Sequence, residues 1–153
     1  MFSQLPMISK LLFVILILFI LQALGGYHQV KNYRKAVCEI HKLGNVGIGQ
    51  KKGKFFNGNI VMVASDGEGT IKGAVILDGI TFMAKFHPVE EFLGKPLVGN
   101  SIYTFLEVTD AFDKKERKQY MGWVRAFEAL RSRFEAQAEA EEEETETETV
   151  EEL

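Results

Sequence analysis

The sequence predicts an α+β protein: an N-terminal transmembrane helix that continues as an amphipathic helix, a small antiparallel β-meander, a C-terminal helix and a disordered acidic tail. Three observations predict this class: an apolar run near the N-terminus, a change from helical to alternating spacing at Asn45, and ten glutamates in residues 135–153. The 153 residues have a net charge of -3, but residues 1–134 contain 18 bases and 11 acids. The body is therefore basic and the tail acidic.

The N-terminal part contains an apolar stretch, residues 11–21, and Gln22 is the only polar side chain as far as Tyr27. Seventeen helical residues rise about 25 Å, near the lower limit for crossing a bilayer. A cleaved signal peptide is the alternative, because Ala23-Leu24-Gly25 resembles a cleavage site. The excess of bases after the run favours an uncleaved anchor, with a short external N-terminus and a cytoplasmic C-terminal domain. These bases are Lys31, Arg34, Lys35 and Lys42.

Residues 27–43 have apolar side chains every three or four positions, and Gly44 follows as a stop signal. This spacing predicts an amphipathic helix that continues the anchor. Two explanations account for its bases. They are the basic residues that ordinarily flank a membrane span, or they are attracted to anionic lipid headgroups.

From Asn45 to His87 the apolar spacing becomes two, as in β-strands. Asp78-Gly79 predicts a two-residue turn that pairs Leu77 with Ile80, and residues 66–69 predict a loop that pairs Ser65 with Thr70. Both turns place one apolar set on the same face, and the opposite face is expected to be mixed. This set is Ile60, Met62, Ala64, Ile71, Val75, Leu77, Ile80, Phe82 and Phe86. An earlier strand at residues 46–50, of undefined register, completes the predicted sheet.

A small sheet needs a covering layer, and two helices are candidates for it. One is the helix at residues 27–43, and the other is a C-terminal helix expected over residues 110–134. The second presents Phe112, Tyr120, Trp123, Val124, Phe127, Leu130 and Phe134. Beyond it, residues 135–153 have too little apolar surface to offset the entropy of ordering, so disorder is expected.

The search for chemical motifs predicts no enzyme, no cofactor and no metal site. Residues 47–54 only superficially resemble a phosphate-binding loop, because Ile48 and Phe55 stand where glycine and a hydroxyl are needed. His28 and His41 project from different sides of a helix and cannot share a metal. Cys38 has no assigned histidine base, so a structural role is favoured over a nucleophile.

The basic residues are the candidate interaction sites. They are Lys51, Lys52, Lys54, Lys114, Lys115, Arg117, Lys118 and Arg125. Direct nucleic-acid binding is disfavoured, because the sequence contains no helix-turn-helix pair, zinc finger or basic zipper. A solvated helix face near an anionic membrane explains the same charges.

Three segments carry a family resemblance: residues 21–27, residues 44–55 with their repeated glycines, and Gly79 to Phe86. As an ordered set they resemble the glucitol operon activator family, over about residues 11–97. The resemblance implies a small bacterial protein with an N-terminal hydrophobic segment, encoded with sorbitol phosphotransferase genes and described as a transcriptional activator. It supplies no catalytic or ligand-binding residues.

The resemblance and the anchor together lead to the hypothesis of a membrane-anchored regulator of sorbitol uptake that acts through protein partners. The expected partner is a soluble transcription factor or a sugar permease component. The alternative is an accessory subunit of a membrane sugar transporter, with an indirect effect on transcription. The expected parts are residues 1–27 (anchor), 28–97 (family core), 98–134 (basic helical extension) and 135–153 (acidic tail).

Overall fold

The computed structural model describes residues 6–53, 58–78 and 85–151 of the chain. The elements are α1 (Met7–His41), β1 (Asn45–Lys51), β2 (Asn59–Ser65), β3 (Ile71–Asp78), β4 (Lys85–Pro88), β5 (Glu91–Phe92), β6 (Lys95–Pro96), α2 (Ile102–Asp110), α3 (Lys114–Gln119) and α4 (Met121–Glu151). A long N-terminal helix, an antiparallel meander and C-terminal helices confirm the predicted α+β class.

The N-terminal apolar run and the amphipathic segment form one helix, α1, as predicted. Pro6 precedes its first turn, where the missing N–H removes no helical hydrogen bond. The chain leaves α1 through Gly44, whose φ of +136° favours glycine. A side chain there would also overlap the carbonyl oxygen of Ser65, so the connection from α1 to β1 requires this glycine.

The four-stranded sheet has the order β1-β2-β3-β4, and all its neighbours are antiparallel. The first strand, undefined from the sequence, pairs with β2 from Asn45 opposite Ser65 to Lys51 opposite Asn59. The predicted turn at Asp78-Gly79 was wrong, because Leu77 pairs with Phe86 and Asp78 with Lys85. The connection between the paired residues is thus longer, and residues 79–84, including Ile80 and Phe82, lie outside the described part.

The register of β2 with β3 also differs from the prediction. Ala64 pairs with Gly73 rather than Ile71, and an irregularity between Ala64 and Ser65 brings Ser65 opposite Ile71. The shift at Ala64 is two residues, an even number, so most of the predicted faces are preserved. Ile71 lies beyond the irregularity and belongs to the opposite face.

Both predicted covering helices are used, one on each face of the sheet. The C-terminal end of α1 covers the predicted apolar face, where Ile40 packs with Val46, Met62 and Ala64. The opposite face, expected to be mixed, is the larger core and packs against α2 and α4. Its buried residues are Val61, Val63, Ile71, Ala74, Phe92, Leu97, Ile102, Phe105, Leu106, Trp123, Ala126, Phe127 and Leu130.

The C-terminal helix is confirmed, but its predicted bounds of 110–134 were wrong, because α2 ends at Asp110 and two helices, α3 and α4, follow it. Ser101 caps α2, which the sequence reasoning missed, by accepting a hydrogen bond from the backbone N–H of Tyr103. Asp113 and Glu116 form a capping box that begins α3 and interrupts the expected helix. The predicted apolar residues nevertheless all reach the core, four of them buried and Phe112, Tyr120 and Phe134 partly buried.

Two further features differ from the sequence-based expectation. Residues 135–151, expected to be disordered, continue α4 as a helix, and their side chains are exposed as far as Glu142. In addition, β5 and β6 form a small unpredicted hairpin whose turn residues Leu93 and Gly94 have φ of 52° and 74°. These positive values are typical of a type I′ turn, in which asparagine or glycine is usual.

Candidate functional site

The apolar part of α1 is the first surface with a functional implication. Within the described residues, α1 is the one helix long and apolar enough to cross a membrane, and none of its most apolar 18-residue window is buried. Leu11, Leu16 and Phe19 expose 62%, 55% and 71% of their surface. The folded domain leaves this segment uncovered, so a membrane or another apolar partner is needed to remove it from water.

The axis of α1 lies nearly along the strands of the sheet. At the C-terminal end of α1, a β-carbon on Gly73 would lie 2.8 Å from Leu43. Ten residues earlier in the chain, the Tyr33 ring lies 5.9 Å from the ring of Phe86. Gly73 belongs to the row of Val46, and Phe86 to the row of Gln50. The ten residue steps from Tyr33 to Leu43, all but the last two in α1, rise about 15 Å, and four strand residues rise about 13 Å. The helix and the strands therefore run in nearly the same direction. The row of Gln50 is therefore the end of the sheet nearer the apolar segment.

The glycines of β1 have a packing role, which explains the motif that superficially resembled a phosphate loop. A β-carbon on Gly49 would overlap the carbonyl oxygen of Gly122 and lie 2.5 Å from the backbone nitrogen of Ala126. A β-carbon on Gly47 would lie 2.7 Å from Leu130. These contacts place α4 directly on the backbone of β1. Later residues of α4 contact earlier residues of β1, so the helix runs antiparallel to the strand. The glycines thus provide helix-on-strand contact rather than a phosphate cradle.

The structure brings together some of the predicted interaction residues. Arg125 donates a hydrogen bond of 2.9 Å to the carbonyl oxygen of Gln50, which places its guanidinium beside the end of β1. Lys51 ends β1, and the exposed Lys52 follows it. Together these three form a basic cluster at the sheet end nearer the apolar segment. Lys54, the fourth predicted base of this region, lies outside the described residues.

The remaining predicted bases are on α3 and are arranged differently. Lys114, Lys115 and Lys118 lie on this short helix, which packs beside α4 instead of extending it. Arg117 is paired with Glu128 of α4, so its charge is already compensated within the domain. The seven predicted bases that the structure describes are thus divided between two parts of it.

A groove of about 420 Å³ lies between α1 and β4, and it was not predicted from the sequence. Its lining residues are His28, Asn32, Lys35, Ala36, Glu39, Lys85 and Phe86. Lys35 and Glu39 pair within this groove at 3.8 Å. Because α1 and β4 are far apart in sequence, only the fold shows that Lys85 lies beside the part of α1 that follows the apolar run.

At the opposite end of the sheet, Asp66 organises the turn between β2 and β3. Its Oδ1 accepts hydrogen bonds from the backbone N–H groups of Glu68 (3.0 Å) and Thr70 (2.9 Å), and its Oδ2 lies 3.0 Å from Lys72 Nζ. Lys72 first, and then these backbone donors, hold the pKa of the Asp66 carboxyl below its usual value. This carboxylate is consequently engaged in holding a turn.

The chemical groups considered from the sequence are not assembled into a reactive centre within the described residues. No group of three or more His, Cys, Asp or Glu side chains there could hold a metal ion. Cys38 is exposed on α1. The features that distinguish this part of the molecule are surfaces: the bare apolar helix, the basic end of the sheet and the acidic continuation of α4.

The architecture defines a small α+β domain built directly on a long apolar helix. The family model of the glucitol operon activator protein matches residues 10–115, which extend from α1 to the first residues of α3. The chain therefore belongs to the glucitol operon activator family, as the resemblance indicated. Comparison with curated proteins and with solved structures gave no match.

Proposed function

We propose that this protein is a single-pass membrane regulator whose cytoplasmic domain promotes expression of a sugar alcohol uptake operon by binding a protein partner, without catalysis. The observation that carries the proposal is that the exposed apolar segment and the domain share one uninterrupted helix, α1. Membership of an operon activator family supplies the regulatory role. The partner in this proposal is a soluble transcription factor or a permease component.

The continuity of α1 supports a tether that also orients the domain. Val37 and Ile40 pack under the sheet on the same helix that carries the apolar run. Anchoring a domain this way restricts it to a thin layer beside the membrane and raises its effective concentration toward membrane-associated partners. A regulator that is tethered in this way can act by binding a partner and needs no reactive site.

The distribution of bases supports a cytoplasmic location for the domain. One lysine, Lys10, precedes the apolar run, whereas Lys31, Arg34 and Lys35 follow it closely. A cysteine introduced at Ser9 should react with a membrane-impermeant maleimide in intact cells, and Cys38 should react only after lysis. The reverse pattern contradicts the orientation, and a mature protein that begins near Gly26 contradicts the anchor.

The regulatory role is tested by deleting the gene and expressing the uptake operon either from its own promoter or from a foreign one. We expect transcription from the native promoter to fall and uptake to be restored by the foreign promoter. Loss of uptake under both promoters would instead identify an accessory transporter subunit, the second candidate, which the same membrane tether favours. Unchanged transcription and uptake would contradict both roles.

A further inference from the structure

We propose that the sheet end formed by Lys51, Lys52 and Lys85, with Arg125 beside it, docks on the anionic lipid headgroups of the membrane that α1 spans. The inference rests on the proposed membrane anchoring and deepens it. It assigns an orientation to the domain: the basic end lies on the bilayer and the acidic helix extends away from it.

The distances along α1 place these bases at headgroup depth. Tyr33, beside the row of Phe86, is six helical residues or about 9 Å beyond Tyr27, the last of the seventeen residues 11–27 that form the span. Lys85 and Lys51 are one strand residue closer, a further step of about 3.3 Å. They lie about 6 Å from the hydrocarbon boundary, within the headgroup layer of about 5–8 Å on each side.

The groove between α1 and β4 also places Lys85 close to the membrane. His28 follows the apolar run directly and lines the groove together with Lys35 and Lys85. Lys85 therefore lies beside the first turns of α1 that leave the membrane. A phosphate-bearing headgroup next to α1 would meet this lysine and the bases of α1 together.

The charges at this end favour an anionic surface. Seven bases lie on α1, at the neighbouring strand ends or, for Arg125, on α4 beside the end of β1: Lys31, Arg34, Lys35, Lys51, Lys52, Lys85 and Arg125. Two acids lie among them: Asp78 is opposite Lys85 in the strand pairing and 3.5 Å from His87, and Glu39 lies 3.8 Å from Lys35. Seven bases and two acids leave this end with a net charge of +5. Anionic headgroups attract each such base and so favour this orientation.

The direction of α4 is consistent with the proposed docking. Gly122 lies beside Gly49, and Leu130 lies beside Gly47, so α4 leads away from the Gln50 row. Glu139 is 17 helical residues beyond Gly122, a displacement of about 26 Å. The acidic continuation of α4 thus extends away from the surface that would repel it.

The test uses the full-length protein in nanodiscs of phosphatidylcholine, with or without phosphatidylglycerol, and amide hydrogen exchange as the readout. With phosphatidylglycerol at low salt, we expect slower exchange at residues 50–53 and 85–87, by about fivefold for each base engaged. The turn at residues 66–70 should be unaffected. About 1 M salt should remove the difference, because the screening length is then about 3 Å.

Two matched variants separate the docking surface from general charge. Lys52→Gln/Lys85→Gln should lose the dependence on lipid charge, whereas Lys42→Gln/Arg133→Gln, which removes two exposed charges from the other end, should retain it. Equal loss in both variants would overturn the proposal in favour of non-specific attraction. Equal protection by inorganic phosphate in neutral nanodiscs would overturn it in favour of a small-anion site.

Failure of the docking proposal can be distinguished from failure of the anchor. Retention in the bilayer after an alkaline carbonate wash tests the anchor alone, whatever the lipid charge. If the protein is retained but its amide exchange does not depend on phosphatidylglycerol, the docking proposal is contradicted and the membrane anchor is supported. Release by carbonate contradicts the anchor and, with it, the docking.

Discussion

Gly49 of β1 and Gly122 of α4 lie so close that a β-carbon on Gly49 would overlap the carbonyl oxygen of Gly122. A β-carbon on Gly122 would in turn lie 2.5 Å from Asn59 Oδ1 and 3.1 Å from Val61 Cγ2. Two backbones are therefore in direct contact across the larger core. This contact fixes the position of α4, whose Trp123 and Phe127 fill that core.

The first prediction follows from this contact. Gly49→Ala should lower the free energy of unfolding by about 3 kcal/mol, at the upper end of overpacking costs, because a backbone carbonyl cannot rotate away as a side chain can. Urea unfolding of the detergent-solubilised protein can be followed by the fluorescence of Trp123, the single and buried tryptophan.

Gly67→Ala is the matched control. A β-carbon on Gly67 would meet no atom within 4 Å, so the same chemical change should leave the unfolding midpoint almost unchanged. Equal stability of Gly49→Ala and Gly67→Ala would show that α4 can withdraw from β1 at little cost.

The faces of the sheet could be predicted from the sequence because they depend only on alternation. Met62 and Ala64 share one face as expected, and that face packs against α1, although their partners differ from the predicted ones by two residues. The register could not be predicted, because the Asp66 carboxylate holds its turn through two backbone N–H groups and displaces the pairing of Ser65. A pattern of apolar residues contains no information on such a local hydrogen bond.

The candidate surface was only partly predictable for a related reason. Lys51, Lys52 and Arg125 could be nominated by their charge, but the hydrogen bond of Arg125 to Gln50 joins residues 75 positions apart. Lys85 was not nominated, because its place beside α1 depends on the actual pairing of β3 with β4. Long-range packing thus decides which bases share a surface.

A second prediction concerns Leu93, whose φ of 52° is unfavourable for leucine. Leu93→Asn should raise the free energy of unfolding by about 1 kcal/mol, because asparagine tolerates the left-handed region and Asn-Gly is the preferred pair of a type I′ turn. The measurement is again urea unfolding. Leu93→Ala is the control, since it shortens the side chain without easing the backbone, and it should give no gain.

A third prediction concerns the pH dependence that arises from Asp66. Because its folded-state pKa is depressed, the carboxylate stabilises the fold above the unfolded pKa of about 3.9, and this contribution is lost as pH falls through the lower folded value. Unfolding curves from neutral to acidic pH should therefore show a smaller acid-induced loss of stability in Asp66→Asn. An unchanged acid profile would assign the loss to other carboxylates.

Lys72→Gln tests the cause of that shift. Lys72 makes the largest contribution to the lowered pKa, so its removal should bring the Asp66 titration, followed by NMR of the carboxyl carbon, closer to the usual value. The backbone hydrogen bonds from Glu68 and Thr70 remain, so part of the depression should persist. A fully normal pKa in Lys72→Gln would show that these bonds do no more than offset the desolvation of the carboxylate, which raises the pKa.

The last prediction concerns the acidic continuation of α4. Glutamate and alanine favour helix, but glutamates four residues apart, such as Glu135 and Glu139, repel one another. The negative charges also gather toward the C-terminal end of the helix, where the macrodipole disfavours them. The helix content of residues 135–151 should therefore rise with salt, and it should rise further when acid protonates the glutamates.

The far-ultraviolet circular dichroism of the full chain minus that of a chain ending at Phe134 isolates this segment. The shortened chain should unfold at the same urea concentration, because the side chains of residues 135–142 are exposed and no residue after Leu130 is buried as far as Glu142. A difference spectrum without helical signal in high salt would restore the expectation of disorder. A large loss of stability on truncation would instead show that the acidic segment folds back onto the basic domain, contrary to the direction of α4.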